Sequence, residues 1–405
     1  MGKKQVPAIR FQGFTDAWEQ RKVGETITEV PRPIELNDDQ EYQLVTVKRR
    51  NEGVVSRGRM YGKNILVKNY FEICAGDYLI SKRQLVHGAN GIVPESLDKA
   101  VVSNEYMACV SNQFITAEFL AMLSKTKSLQ KDFFLSSYGV DIEKLVFDVD
   151  DWKKRFITIP KVKEQEKICE CFTQLDHLIT LHQRKYEKLL KVKKSMLEKV
   201  FPRDGADVPE IRFDGFTDAW EQRKLSELAE RTYGGGTPTT SNEVFWNGDI
   251  PWIQSSDVVD GKLFGVTPRK HITQSGLNSS AAQLIPKNSI AIITRVGVGK
   301  LAFMPYSYAT SQDFLSLSKL NTEPFFTVYS CYKKLQSELN SVQGTSIKGI
   351  TKDELLSKTI MVPEYAEQQQ IGVFFSNLDH LITLHQRKLE KLKNIKKSLL
   401  EKMFV

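Results

Sequence analysis

The strongest constraint on this chain is that it contains two copies of one unit. Residues 9–22 read IRFQGFTDAWEQRK and residues 211–224 read IRFDGFTDAWEQRK, so these two segments differ at a single position. Residues 175–185 and 378–388 are identical. The offset of 202 to 203 residues is far longer than the roughly 20–50 residues of a solenoid repeat. Two copies of this size predict a pseudo-twofold protein that imitates a homodimer within one chain.

Each copy is predicted to end in a long helix, which begins after Pro160 or Pro363 and runs to about residue 201 in the first copy. Large or apolar side chains recur there at alternating steps of four and three residues, and only Lys193 interrupts the first series. The positions are Ile168, Phe172, Leu175, Ile179, His182, Tyr186, Leu189, Met196 and Val200, and then Ile371, Phe375, Leu378, Ile382, His385, Leu389, Leu392, Leu399 and Met403. A heptad seam held for about five heptads predicts a coiled coil. We expect the two helices to pair antiparallel; the alternative is that each helix packs only on its own copy.

The segments between the repeated frames have diverged. Residues 24–160 and 226–363 share only scattered positions, and their short apolar runs alternate with Gly, Pro, Asn and Asp turns, which predicts mixed α/β inserts. A faint alignment joins residues 80–83 with 293–295, 103–106 with 311–314, and 139–142 with 344–347. It predicts one fold that carries two different surfaces.

The basic charge lies mainly in the second halves of the two helices. Residues 183–199 and 386–402 each contain seven Lys or Arg and two Glu, while the whole chain has a net charge of only +8. Three interpretations stay open. The lysines form a solvated helix face that complements the helix dipole, or they lie along DNA phosphates, or they meet an acidic partner protein.

Motifs for catalysis are missing from the sequence. Residues 297–300 read GVGK without the rest of a Walker loop, and neither a zinc-ligand spacing nor a nucleophile elbow occurs. The five cysteines form no C-x-x-C pair, which predicts free thiols in a reducing compartment. No apolar stretch follows the lysines at residues 3–4, so a signal peptide is not expected, and no apolar run approaches the roughly 20 residues of a membrane span. These features predict a soluble cytoplasmic protein that has no membrane partner.

Two variable segments between repeated frames resemble the DNA specificity subunit of type I restriction–modification systems, along essentially the whole chain. The motif F-x-G-F-x-D-x-W at residues 11–18 and 213–220 resembles the opening motif of that family. Residues 235–238 (GGTP), Trp246 and 249–253 (DIPWI) resemble the start of a target recognition domain, and residues 344–350 (GTSIKGI), 362–363 and 367–371 (EQQQI) resemble its close. The first copy keeps residues 159–160 and 164–168 (EQEKI) but departs from the family by lacking the GGTP and DIPW segments.

The resemblance implies an α+β fold with two mixed α/β target recognition domains in a pseudo-twofold arrangement, joined by two long antiparallel coiled-coil helices. The implied domains are residues 8–162 and 209–365, and the implied helices are residues 163–203 and 366–405. Each recognition domain would read one half of a split target on double-stranded DNA, with the helices setting the unread spacer.

The resemblance also implies partners and a division of labour. Two methyltransferase subunits would bring S-adenosylmethionine for adenine-N6 methylation, and restriction/translocase subunits would bring ATP and Mg. This chain would bind no cofactor or metal and would not be an enzyme; it lacks the D/N-P-P-Y/F motif of an adenine methyltransferase.

Base edges are best read by Arg, Lys, Asn and Gln, and phosphates are held by Lys, Ser and Thr. On that basis the predicted DNA-binding residues of the first domain are Arg49, Arg50, Arg57, Arg59, Lys82, Arg83, Gln84, His87 and Asn90. Those of the second domain are Thr237, Ser255, Arg295, Lys300, Gln312, Thr345 and Lys348. Trp18 and Trp220 belong to the repeated frame and are predicted to be core or partner-contact residues.

Two other functions compete with this prediction. One is a non-catalytic coiled-coil scaffold with two peptide-binding domains, which a weak dependence of DNA binding on salt would favour. The other is a fused methyltransferase or nuclease, which the missing catalytic motifs disfavour.

Overall fold

Each of the two units into which the chain divides combines parts of both sequence copies. The computed structural model describes residues 6–66, 69–341 and 349–404. The first unit holds the residues up to His182 together with those from Lys388 onward, and the second unit holds Gln183–Arg387. Both boundaries fall inside the long helices that the heptad pattern predicts.

The first unit mixes strands and helices. Its strands are β1 (Glu19–Lys22), β2 (Thr28–Glu29), β3 (Pro33–Ile34), β4 (Glu41–Lys48), β5 (Gly53–Tyr61), β6 (Tyr70–Ile73), β7 (Tyr78–Ser81), β8 (Asn90–Ile92), β9 (Ala100–Ser103), β10 (Tyr106–Val110), β11 (Ser137–Tyr138), β12 (Val146–Phe147) and β13 (Phe156–Ile159). Its helices are α1 (Val23–Thr26), α2 (Ala117–Leu123), α3 (Lys127–Leu135), α4 (Val149–Lys154) and the first part of α5 (Val162–Lys199).

The second unit repeats this plan with fewer strands. Its strands are β14 (Glu221–Lys224), β15 (Ala229–Gly234), β16 (Trp246–Ile253), β17 (Lys270–Ile272), β18 (Ser289–Ile293), β19 (Leu301–Met304), β20 (Ala309–Thr310), β21 (Phe314–Leu320) and β22 (Thr359–Val362). Its helices are α6 (Gln274–Asn278), α7 (Pro324–Ser341), α8 (Lys352–Ser357) and the first part of α9 (Tyr365–Lys402). Threonine side chains accept hydrogen bonds from the first turns of α2, α3 and α8 and so fix where these helices begin.

The two units contain corresponding sheets. The four-stranded sheet β2-β10-β7-β8 of the first unit has the same order as β15-β21-β18-β19 of the second. In a separate sheet, β4 pairs parallel with β9 and antiparallel with β5, just as β16 pairs parallel with β20 and antiparallel with β17. The prediction of one fold with two surfaces therefore agrees with the strand pairing.

Strand register corrects one part of the sequence alignment by a single residue. Ser81 lies opposite Tyr106 in the first unit, and Ile293 lies opposite Phe314 in the second. The backbone N–H of Lys82 donates to Glu105 O at 2.9 Å, and that of Thr294 donates to Asp313 O at 2.7 Å. Lys82 thus corresponds to Thr294, and Arg83 to Arg295. The alignment missed this because either Ile292 or Ile293 matches Ile80, and only hydrogen bonding between strands decides.

Segments of α5 and α9 pack antiparallel within each unit. In the second unit, Phe201 just beyond α5 stacks on Phe375, whereas Lys193, about two turns earlier, reaches Asp379, one turn later in α9. In the first unit, Phe404 contacts Phe172 and Lys396 pairs with Asp176, in the same sense. The antiparallel pairing is therefore confirmed, and the alternative that each helix packs only on its own copy is wrong.

The lysine that interrupts the heptad series has a specific partner. Lys193 is buried, and its Nζ lies 2.6 Å from Asp379 Oδ1, while the Tyr329 hydroxyl donates to Asp379 Oδ2 at 2.7 Å. Lys396 and Asp176 are the equivalent residues of the other copy, and they form the equivalent ion pair. A polar pair inside an apolar seam is a recognised way to fix helix register.

The repeated opening segment docks on the start of its own long helix. Arg10 donates two hydrogen bonds to the Glu164 carboxylate, both at 2.6 Å, and Arg212 donates to Glu367 at 2.9 and 2.8 Å. These hydrogen bonds raise the pKa of both arginines. The glutamate of each E-Q pair is therefore a buried anchor for the opening motif.

The glutamine of each E-Q pair ties the helix to its own insert. Gln165 donates to the carbonyl oxygens of Phe114 and Pro160 and accepts from the Thr116 N–H. Gln368 donates to Pro363 O and accepts from the Glu323 N–H. Buried backbone groups that would otherwise be unpaired are satisfied in this way.

A phenylalanine beyond the end of each long helix completes the core of a unit. Phe201 packs against Trp220, Phe326 and Phe375 in the second unit. Phe404 packs against Trp18, Phe119 and Phe172 in the first. Trp18 and Trp220 are thus core residues, one of the two roles predicted for them.

Candidate nucleic-acid interface

Most of the predicted DNA-binding residues follow corresponding strands of the two units. In the first unit Arg49 comes after β4, and the segment from Lys82 to His87 comes after β7. In the second unit Ser255 comes after β16, and Arg295 comes after β18. We call these places the first sheet end (Arg49, Arg83, Gln84, His87 and the hairpin of β11 and β12) and the second sheet end (Thr237, Ser255, Arg295 and Gln312).

Arg49 lies at the centre of the first sheet end. Its Nε donates to Gln84 Oε1 at 2.8 Å, and its Nη2 donates to Glu143 Oε2 at 2.7 Å. The other oxygen of Glu143 lies 3.6 Å from His87 Nε2. The structure therefore brings Arg49, Gln84 and His87 together around a carboxylate that the sequence reasoning missed.

The backbone of the neighbouring turn explains how these side chains are held. Arg50 and Asn51 both have left-handed conformations, with φ of 60° and 56°. Their N–H groups donate to His87 O and Gly88 O at 2.7 and 2.8 Å. Asn90 is only 2% exposed, and its Nδ2 donates to Asn51 Oδ1 at 3.2 Å. This predicted reading residue instead supports the turn from inside, because its side chain has no path to a base.

Arg83 is held by a second carboxylate. Its Nε and Nη2 donate to the two oxygens of Glu105 at 2.6 and 3.2 Å. The hydrogen bond raises the pKa of Arg83 and lowers that of Glu105. Because both side chains are largely exposed, such a pair adds little to stability. Its main effect is to fix the direction in which the guanidinium points.

Three further residues predicted for the first unit are Arg57 and Arg59, which lie on another strand, and Lys82, which is half-buried. Arg57 and Arg59 are exposed on the edge strand β5, where Arg59 Nη1 lies 3.6 Å from Glu41 Oε2. In the described part of the chain, neither arginine belongs to the group that Arg49 forms with Gln84 and Glu143. Lys82 is half-buried, and its carbonyl accepts from the Phe147 N–H at 2.8 Å, which fastens the β12 strand.

The second sheet end is built mainly from neutral side chains, with Arg295 as the exception. Thr237 Oγ1 donates to Gln312 Oε1 at 2.6 Å, and the Gly236 N–H donates to Thr310 O at 2.8 Å. A Cβ at Gly235 would lie 1.9 Å from Ser311 O, and one at Gly236 would lie 2.3 Å from Ala281 C. Only glycine fits at these two positions, which explains the GGTP segment physically.

Backbone hydrogen bonds bring the other residues of the second unit to the same place. The Ser311 N–H donates to Ile253 O, which positions Ser255 next to the 311–313 segment, and the Thr294 N–H donates to Asp313 O beside Arg295. Arg295 is exposed, and Lys300 is half-buried at the close of the same turn. Thr345 and Lys348 lie outside the described residues.

Comparison with known proteins shows the family. A family model described as the type I restriction modification DNA specificity domain matches residues 16–191 and 217–394. The chain therefore belongs to the type I restriction–modification DNA specificity family and carries two copies of its domain. This membership was predicted from the repeated motifs and is confirmed.

Curated relatives carry the same description. The type I restriction enzyme MjaIX specificity subunit of Methanocaldococcus jannaschii is 28% identical over 193 residues, which are 46% of this chain and 44% of that protein. The EcoR124I/EcoR124II specificity subunit of Escherichia coli is 30% identical over 169 residues, 40% of this chain and 41% of that protein. Both alignments span less than half of the relative.

Solved structures share the fold over nearly the whole chain. The HsdS subunit from Thermoanaerobacter tengcongensis is 20% identical, with a TM-score of 0.51 and 96% coverage of both chains. The S subunit of a type I restriction–modification system from M. genitalium is 14% identical, with a TM-score of 0.59 and 99% coverage of both chains. The predicted α+β fold class is confirmed. Within the described ranges, no helix has the length and apolar character that crossing a membrane requires.

Proposed function

We propose that this chain is the non-catalytic reading subunit of a type I restriction–modification complex, and that it recognises a bipartite DNA target with one half-site per recognition domain. The observation that carries the proposal is the pair of family domains, in which corresponding strand ends present different polar side chains. The two domains share their strand pairing and differ in the polar side chains at the ends of the strands, which would contact the base edges. The proposed recognition domains are residues 8–162 and 209–365, and the proposed helices are residues 163–203 and 366–405.

In the first domain the reading chemistry is ionic. An arginine guanidinium can donate two hydrogen bonds to guanine, a glutamine amide suits adenine, and a carboxylate accepts from the cytosine amino group. Arg49, Gln84 and Glu143 offer all three within one hydrogen-bonded group. Arg50, Arg57, Arg59 and Lys82 would hold phosphates, which position the domain without reading sequence.

In the second domain the reading chemistry is mainly neutral. Gln312 can turn its amide to a base while Thr237 holds its oxygen. Arg295 and Ser255 flank it on the ends of β18 and β16, and Lys300 would contact phosphate. Thr345 and Lys348 stay predictions from the sequence.

The two long helices would set the length of the unread spacer. Each has 38 residues, about 57 Å at 1.5 Å per residue. Lengthening both helices by one turn should widen the spacer, and methylome mapping that shows an unchanged gap would reject this role.

Partner subunits would carry the chemistry. We propose two adenine-N6 methyltransferase subunits, which bring S-adenosylmethionine, and restriction/translocase subunits, which bring ATP and Mg; this chain itself would hold no cofactor and work in the cytoplasm. Leu178 and Leu181, and their identical counterparts Leu381 and Leu384, are exposed on the long helices. Exposed leucines of this kind suit a protein contact, and the basic helix faces suit either DNA or an acidic partner.

The test is single-molecule methylome sequencing of a host that carries this gene and its methyltransferase partner. We expect one bipartite motif. Exchanging residues 226–363 for the insert of another family member should change one half of that motif and leave the other. Retention of both halves would reject the assignment of one half-site per domain.

Salt dependence separates the proposal from a peptide-binding scaffold. Binding to the motif should fall steeply as salt rises, because counterions are released when cationic side chains meet phosphates. A chain whose DNA binding is weak and independent of sequence at every salt concentration would favour the scaffold.

A further inference from the structure

The tip of the hairpin formed by β11 and β12 is unusually apolar for an exposed loop. Val140 is 100% exposed, Tyr138 is 61% exposed and Ile142 is 54% exposed. Single apolar residues on a surface are ordinary, but three within five residues form an exposed apolar patch, and such patches are typical of binding sites. Burial of apolar surface in the interior does not explain them, because Val140 is fully open to solvent.

The patch belongs to the first sheet end. Glu143, which accepts from Arg49, follows Ile142 directly. Tyr138 lies opposite Val146 in the hairpin, and the base of the hairpin is fastened by the Phe147 N–H, which donates to Lys82 O. The apolar tip therefore stands among the residues proposed to read DNA.

The hairpin is held in one shape. Asp141 Oδ1 accepts from the Glu143 N–H at 3.2 Å and so caps the short turn Ile142–Lys144. A Cβ at Gly139 would lie 3.1 Å from Lys144 O, so glycine lets the two sides of the hairpin approach closely. A held loop presents Val140 without a large loss of chain entropy on binding.

We propose that Val140, flanked by Tyr138 and Ile142, contacts the 5-methyl group of a thymine in the half-site read by the first domain. This inference rests on the proposed function. In the major groove, thymine is the base that offers an apolar group, and apolar side chains recognise it by contact. The five cations Arg49, Arg50, Lys82, Arg83 and Lys144 at this end outnumber the four carboxylates Glu52, Glu105, Asp141 and Glu143. That charge favours a polyanionic occupant over an apolar protein surface.

A serine at this position removes the apolar group without adding charge. Valine carries two γ-methyl groups and serine carries none, whereas threonine would keep a methyl group that can itself contact thymine. Val140→Ser should therefore remove the preference for the thymine methyl, and because Val140 is fully exposed the substitution should not affect folding. Val296→Ser, in an exposed turn of the second unit, is the matched control.

The experiment uses the full chain assembled with its methyltransferase partner. Duplexes carry the mapped target with each thymine of the first half-site replaced in turn by deoxyuridine, which lacks only the methyl group. We expect one replacement to weaken binding by the wild-type complex about fourfold, the effect of burying one methyl-sized group. Val140→Ser should bind the thymine and uracil duplexes equally, and Val296→Ser should keep the fourfold ratio.

Four outcomes would overturn the inference while the bipartite target is still methylated. They are equal wild-type affinity for every thymine and uracil duplex, a first half-site made of G·C pairs alone, a fourfold ratio that survives in Val140→Ser, and a Val140→Ser complex that loses a partner subunit with unchanged DNA recognition. The last would identify the patch as a protein contact. A complex that methylates no bipartite target would instead overturn the proposed function itself.

Discussion

The two units share their supporting contacts almost side chain for side chain and differ at their sheet ends. Arg10 and Glu164 in the first unit match Arg212 and Glu367 in the second. At the first sheet end, however, arginines are held by Glu143 and Glu105, whereas at the second a threonine holds a glutamine. Residues that face the core are constrained by packing, while those just beyond a strand are constrained only by what they bind.

The largest expected effect tests whether the two frames are equivalent. Glu164→Ala and Glu367→Ala should each lower the free energy of unfolding by about 3–5 kcal/mol, because each leaves a partly buried arginine without its partner. Hydrogen exchange measured by mass spectrometry in each unit would report the loss separately.

The control for these variants is Glu166→Ala, an exposed glutamate in the same helix as Glu164. It should change the unfolding free energy by less than about 0.5 kcal/mol. If Glu164→Ala and Glu367→Ala differ by more than twofold in cost, the frames are not equivalent.

The next effect exposes a difference inside the frame. Asp379 is 22% exposed and also accepts from Tyr329, whereas Asp176 is 47% exposed. Asp379→Ala should therefore cost about 3 kcal/mol, as expected for a lysine left buried and unpaired, and Asp176→Ala about 1 kcal/mol, as expected for a more exposed pair. Chemical denaturation followed by fluorescence would measure both, and equal costs would contradict the ranking by burial.

A smaller effect addresses the ionic sheet end. Arg49→Ala should weaken binding to the cognate target by roughly 1–3 kcal/mol, about 5- to 150-fold, and relax the methylated motif only in the first half-site. Methylome sequencing of the variant and titration of duplex DNA would check it. Arg223→Ala is the control, because it removes a surface arginine of the second unit that also pairs with a glutamate. A similar loss of affinity in that variant would show that the loss reflects positive charge in general and not recognition of a base.

The smallest expected effect concerns the neutral sheet end. Thr237→Val removes the hydrogen bond to Gln312 and keeps the shape of the side chain. Affinity should fall by about 1 kcal/mol, roughly fivefold, with the loss confined to the second half-site. Because no charge changes, the slope of log affinity against log salt should stay constant; a changed slope would mean that this end binds phosphates instead.

The sequence predicted the parts of the fold that follow a period. All the seam positions from Ile168 to Met403 lie buried or half-buried, and the two interruptions, Lys193 and its counterpart Lys396, each proved to be half of an ion pair. The register of the strands could not be predicted from the sequence, because Ile292 and Ile293 are chemically identical side chains. A count of apolar residues cannot choose between two hydrogen-bonding partners.

The candidate site was predicted in part. Choosing Arg, Gln and His found the side chains around Arg49 but omitted Glu105 and Glu143, since acidic residues are poor phosphate ligands. Asn90 was chosen by residue type, and only the structure shows that it is buried. The apolar tip could not be predicted either, because only the structure shows that Tyr138, Val140 and Ile142 are exposed.

The phenylalanine after each long helix has a consequence for modularity. Phe201 and Phe404 occupy equivalent positions, and each contacts a cluster of aromatic side chains. The members of the two clusters also correspond, Trp220 with Trp18 and Phe375 with Phe172. An insert transplanted from one position to the other would pack against the same types of aromatic residue. These aromatic contacts therefore do not dictate which insert occupies which position.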